Sequence, residues 1–220
     1  MPLGSGLSSS AALEVSFATF LEACAMTTEQ QQADGVDNND DTSKKQRAID
    51  RAVKCQHSSN TFVGVPCGIM DQFVSSAGLE GCALLIDCES NDYVPVRMGA
   101  SPTKEEAVIV IANSNVKHSH STGEYPIRVQ QCKDATEALQ KVDGNISSLR
   151  HATMKHLDQA KDYMTDLIYL RAKHVISEND RTQAAKEKLE AGDFAGFGVL
   201  MNGSHASMRD DYEVSESFRA

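Results

Sequence analysis

A chain of 220 residues, 40% of them hydrophobic, is long enough to bury a core as one large domain or two small ones. Its formal net charge of −10 argues against nucleic acid or an anionic membrane as the main partner. No apolar run approaches the ~20 residues that a membrane span requires.

The chain opens with "MPLGSGLSSSAAL", glycines and serines leading directly into apolar periodicity. Leu13, Phe17, Phe20, Leu21 and Cys24 recur at helical spacing and predict a helix from about Ser9 to Cys24. The segment that follows, "TTEQQQADGVDNNDDTSKK", which includes Gln30–Lys45, is polar and nearly free of large apolar residues. It reads as a solvated loop, because periodicity resumes with Ile49, Ala52 and Val53. "NTFVGVPCGIMDQFVSSAG" predicts an extended lead-in, a Gly/Pro turn and a short helix carrying Asp71. "GCALLIDCES" and "EAVIVIANS" predict two buried strands. From Tyr125 the pattern is helical: Ile127, Ala135, Ala138, Leu139 and Val142 mark one helix, and Leu157, Ala160, Met164 and Ile168 a second. Ser177 is a candidate cap for a third helix, and Phe194, Phe197, Met201 and His205 line a fourth. Mixed strand and helix followed by helix alone predicts an α+β fold.

Six cysteines are scattered, with no CxxC pair and no histidine at ligand spacing. That spacing points to reduced, mostly buried thiols in a cytosolic protein rather than a disulfide framework or zinc site.

Two stretches carry chemistry. Gly4 and Gly6 permit a positive φ and a close approach of phosphate oxygens, and Ser8, Ser9 and Ser10 add hydroxyls at a helix N-terminus that favours an anion. A Gly/Ser stretch also suits a flexible linker, but the helical periodicity directly after it argues for a phosphate cradle. It is not a Walker A loop, since no lysine follows the last glycine. The second stretch is "GVPCGIMDQF". Asp71 at its helix start could take a proton from a substrate hydroxyl, or simply complement the helix dipole. His118 and His120 read as loop hydrogen-bonding groups. Arg209, Asp210 and Asp211 read either as a surface charge cluster or as support for a pocket.

Together, "PLGSGLSSSAA", "VGVPCGIMDQF" with "GCALLIDCES", "NSNVKHSHSTGEYPIRVQQC" and "SHASMRDDYEVS" resemble, in this order, the GHMP kinases and within them the galactokinases. The resemblance covers nearly the whole chain apart from the Gln30–Lys45 loop. It implies a two-lobed fold, with residues 1–118 in an ATP-binding and catalytic lobe and residues 119–220 in a mostly helical second lobe. It implies that Gly4, Ser5, Gly6, Leu7, Ser8, Ser9 and Ser10 wrap the triphosphate of ATP, with Ser10 helping to hold Mg²⁺. It matches Asp71 to the catalytic aspartate at the anomeric hydroxyl of galactose, and Gly68 and Tyr125 to positions lining the sugar pocket. The implied reaction places the γ-phosphoryl of ATP on O1 of α-D-galactose.

Three departures from the family pattern stand out. A GEHxDY segment ahead of the phosphate loop and a late GGGFGG segment are not in this sequence, so an internal portion of the fold, poorly active alone, is the expectation. Twelve residues before Asp71, where the family usually has a metal-binding glutamate, stands Ser59. A neutral hydroxyl does not supply a carboxylate's charge to Mg²⁺, and the nearest preceding acid, Asp50, lies more than two helical turns back. Ser59 therefore keeps open a catalytically silent relative that binds sugar and ATP and acts through protein contacts. An N-acetylgalactosamine kinase is a further alternative.

Overall fold

The computed structural model describes residues 6–25, 41–98, 108–112 and 125–214. The chain divides into two compact units: Met1–Arg97 with Val108–Ser121, and Met98–Ala107 with Thr122–Ala220.

In the first unit, α1 (Ser9–Ala25), α2 (Asp41–His57) and α3 (Met70–Ala77) pack on one another. A π-helical turn, Ser58–Val63, extends α2 and ends at Gly64, whose φ of 75° is a left-handed conformation that glycine adopts without the cost of a Cβ. β1 (Cys82–Asp87) and β2 (Asp92–Arg97) form an antiparallel pair with Cys82 opposite Arg97 and Asp87 opposite Asp92. The connecting turn is tied by the Asp87 carboxylate, which accepts from the N–H groups of Glu89 and Ser90. Ala48, Ala52, Ile69, Phe73, Ala77 and Tyr93 make the core, and the rings of Phe73 and Tyr93 meet at 5.9 Å. Small alanines on α2 let α3 approach closely. Arg51 pins the three helices from one point, pairing with Glu22 of α1 at 2.7 Å and donating to Ser76 Oγ of α3 at 3.3 Å.

The described part of the second unit is helical: α4 (Tyr125–Gln140), α5 (Met154–Gln159), α6 (Asp166–Glu190) and α7 (Phe194–Ser207), closed by a π-helical turn, Met208–Tyr212. Ala135, Leu139, Ile146, Leu149, Leu157, Ala172 and Ile176 lead its core. Thr153 and His156 close a capping box on α5, and the Thr165 and Asp193 side chains cap α6 and α7.

Several sequence expectations are corrected. The stripe Leu13, Phe17, Phe20 and Leu21 of α1 is half or more exposed; α1 buries Ala11 and Val15 instead, because close packing against α2 and α3 selects its small side chains. The lead-in at Thr61–Val63 is π-helical rather than extended. The β1 strand is half-buried along its whole length rather than buried, as part of a sheet of only two strands among the described residues. Val108–Ala112 form no strand and lie exposed, for no described strand offers them a ladder; the rest of that segment lies outside the described residues. The helix expected across Leu157–Ile168 breaks into α5, a 3-10 turn at Lys161–Tyr163 and α6, with Thr165 starting the new helix. Ser177 is inside α6, where its hydroxyl donates to the His174 carbonyl, and caps nothing. Met201 and His205 are exposed on α7. All six cysteines are free, but only Cys55 is buried.

Candidate functional site

The serine run builds the start of α1. Gly6 has φ 74° and Ser8 φ 54°, so two left-handed positions bracket Leu7 directly before the helix. A serine in that region costs on the order of 1 kcal/mol, and such strain concentrates where the backbone is shaped for a ligand. The Ser8 carbonyl accepts the first helical bond, from Ala12, at 3.0 Å. The N–H groups of Ser9, Ser10 and Ala11 thus fall in the turn that lacks intrahelical partners. Gly6, Leu7 and Ser10 are exposed and Ser8 and Ser9 half-buried; Gly4 and Ser5 lie outside the described residues.

Asp71 is the second residue of α3, in its first turn. It is half-buried and, among the described residues, its carboxylate carries no hydrogen bond or ion pair. The turn that delivers it is held from α2. Gln56 Nε2 donates to the Cys67 carbonyl at 3.2 Å, and Asn60 takes the Cys67 N–H at 2.7 Å while donating to its carbonyl at 3.4 Å. Buried Gln72 donates to Cys67 Sγ. Gly68, next in the chain, is exposed. Because α1 packs directly on α3, the serine turn and Asp71 belong to one packed group of helices. Tyr125, half-exposed at the start of α4, belongs to the other unit.

Ser59 is not an isolated hydroxyl. It donates to Glu14 Oε1 across 2.6 Å, joining the turn after α2 to the second turn of α1. Glu14 is four residues beyond Ser10 and so stands on the same helix face. Its other oxygen, Oε2, is buried without a hydrogen-bond partner, and among the described residues no cationic side chain pairs with it. Glu14 also lies near enough to push the Cys55 thiol up, after burial itself. The acid nearest to Ser59 in space therefore comes from α1, not from Asp50, whose carboxylate accepts from Gln46 on α2. A serine hydroxyl and an orphaned carboxylate oxygen are hard oxygen donors, and a nucleotide-bound Mg²⁺ takes only one or two protein ligands, so these residues fit that ion. Among the described residues no group of three or more His, Cys, Asp or Glu could hold a metal by itself.

Elsewhere the acidic cluster near the end of the chain splits. Arg209 and Asp210 pair on the surface. Asp211 turns inward to Lys173 at 3.0 Å and to Ser207 at 3.2 Å. His118 and His120 lie outside the described residues. Sequence reading alone did not find Glu14, Gln56, Asn60 or Arg51. Only Glu14, on the face of Ser10 at helical spacing, left a signal that could have found it.

Residues 1–79 match the family described as GHMP kinases N terminal domain. Galactokinase from Homo sapiens is 41% identical over 98% of this chain and 48% of its own length, and that from Clostridium beijerinckii 39% identical over 98% and 50%. The crystal structure of Lactococcus lactis galactokinase complexed with galactose matches with a TM-score of 0.76 and 27% identity, covering 99% of this chain and 50% of that one. The first 79 residues are thus similar to the N-terminal domain of the GHMP kinases, and the fold is similar to that of a galactokinase. Along nearly its whole length the chain is similar to galactokinases. The chain spans about half the length of the curated relatives it matches. None of the described helices is long and apolar enough to cross a membrane.

Proposed function

We propose that the protein is a cytoplasmic galactokinase, transferring the γ-phosphoryl of ATP to O1 of α-D-galactose to give galactose 1-phosphate and ADP in galactose catabolism. The observation that carries this reading is the carboxylate of Asp71, without a partner among the described residues, on a helix packed against the one that opens with the serine turn. Gly4, Ser5, Gly6, Leu7, Ser8, Ser9 and Ser10 hold the triphosphate through backbone N–H groups and hydroxyls. Asp71 orients the O1 hydroxyl and accepts its proton, and Gly68 and Tyr125 line the sugar. Ser10 would help the phosphates to hold Mg²⁺, which would supply charge neutralisation at the transferring group. The protein's share is mostly positioning. Residues 1–118 form the nucleotide-binding lobe and 119–220 part of the second, with the boundary near Ser119, a residue outside the described set.

The test is galactose-dependent ADP release by the complete protein and by Asp71→Asn. The variant is expected to lose about 10²–10⁴-fold in turnover, the usual contribution of a positioned acid or base, while binding ATP normally. Wild-type turnover no faster than Asp71→Asn would overturn the enzymatic reading. Ser59 favours the second reading that remains, a silent sugar- and ATP-binding regulator, which predicts ligand binding without turnover. Faster release with N-acetylgalactosamine would move the substrate but keep the chemistry.

A further inference from the structure

Building on the kinase reading, we propose that Glu14 supplies the carboxylate of the nucleotide's divalent-cation site, with Ser59 as the residue that aims it. Three observations converge. Glu14 stands one helical turn from Ser10, on the face of α1 that carries the serine run. Ser59 fixes its Oε1 by a 2.6 Å hydrogen bond from a different element, which removes the rotamer freedom of a glutamate. Among the described residues, Oε2 is buried with no hydrogen-bond donor and no ion-pair partner. A buried carboxylate oxygen without a partner is costly, and a divalent cation relieves that cost more fully than any neutral donor. Ser59 is then the support of a displaced ligand rather than the loss of one. The hydroxyl occupies one oxygen and leaves the other to the metal.

The experiment measures Mn²⁺ binding by electron paramagnetic resonance and water-proton relaxation, on the 220-residue chain with a non-hydrolysable ATP analogue. Nucleotide affinity is measured separately in EDTA. Glu14→Gln is expected to weaken Mn²⁺ binding to the nucleotide-loaded protein at least about tenfold, with nucleotide affinity in EDTA changed less than about twofold. Ser59→Ala is expected to weaken it by a smaller factor, through the freed side chain. Because residue 59 touches Glu14, the double variant Glu14→Gln/Ser59→Glu is expected to recover most of the lost affinity, which a purely structural role for Glu14 would not produce. Mn²⁺ affinity unchanged in Glu14→Gln, or no recovery in a folded double variant, overturns the proposal. Should Glu14→Gln not fold, Glu14→Asp keeps the charge and shortens its reach, and wild-type Mn²⁺ affinity there overturns it equally. Nucleotide binding absent from the wild type in EDTA and in Mn²⁺ alike would defeat the kinase reading itself, a different result from nucleotide bound with an indifferent Glu14.

Discussion

Asn60 grips Cys67 on both sides of its backbone, accepting from its N–H at 2.7 Å and donating to its carbonyl at 3.4 Å. This clasp anchors the turn from Gly64 to Gly68 to the π-helical end of α2, and Asp71 follows three residues after Gly68. Asn60→Ala removes both bonds and is expected to cost about 1–2 kcal/mol in urea unfolding. Asn60→Asp keeps the shorter bond and is expected to lose less. Equal losses in the two variants would show that the acceptor at 2.7 Å does not anchor the turn.

Phe73 is fully buried between α2 and β2, against Tyr93. Phe73→Ala opens a cavity under the helix that carries Asp71 and is expected to cost about 3–5 kcal/mol, seen as a lowered thermal midpoint. Phe73→Leu is expected to cost clearly less. A marginal loss in the alanine variant would mean that α3 does not depend on this core.

Arg171, 2% exposed, spreads its guanidinium over the Asp211 carbonyl at 2.5 Å, Glu213 Oε2 at 2.6 Å and Gln131 Oε1 at 3.2 Å. It thereby holds the left-handed Glu213, with φ 52°, against α6. Arg171→Met is expected to cost on the order of 3 kcal/mol by chemical denaturation, since it strands a carboxylate and a carbonyl. Arg171→Lys is expected to restore less than half of that, because an ammonium cannot span the three acceptors as a planar fork does. Full rescue by lysine would reduce the contact to simple charge.

His174 is buried beneath the Tyr212 ring, 4.4 Å away, with Nδ1 2.9 Å from Ser207 Oγ. Burial holds its imidazole below the ordinary value, more than the Asp211 carboxylate raises it, and Arg181 and Arg171 act in the same direction as burial. The unfolded chain takes up this proton near the usual pKa of about 6.5, the folded chain only at lower pH. The stability due to neutral His174 is therefore complete above about 6.5 and declines as pH falls from there toward the folded value. Urea midpoints between pH 7.5 and 5.5 are expected to drop more steeply in the wild type than in His174→Asn. Parallel slopes would show that His174 does not drive the loss.

The residues and motifs alone disclosed the serine turn, Asp71 at a helix start, and the helical character of the region from Tyr125 onward. They did so because backbone freedom at glycine, helix-terminal dipoles and helical apolar spacing are local properties. Periodicity marked Leu13, Phe17, Phe20 and Leu21 as one stripe but not what would cover it, and α1 turned its small residues inward instead. Packing between α1, α2 and α3 was decided by alanines too small to dominate any pattern. The same limit applied to Ser59. Along the chain the nearest preceding acid is Asp50, whereas Glu14, 45 positions before Ser59, is the acid that Ser59 touches. Local chemistry could be read from neighbours in sequence. Which carboxylate meets which hydroxyl depended on the close approach of distant helices, and that is a property of the tertiary structure.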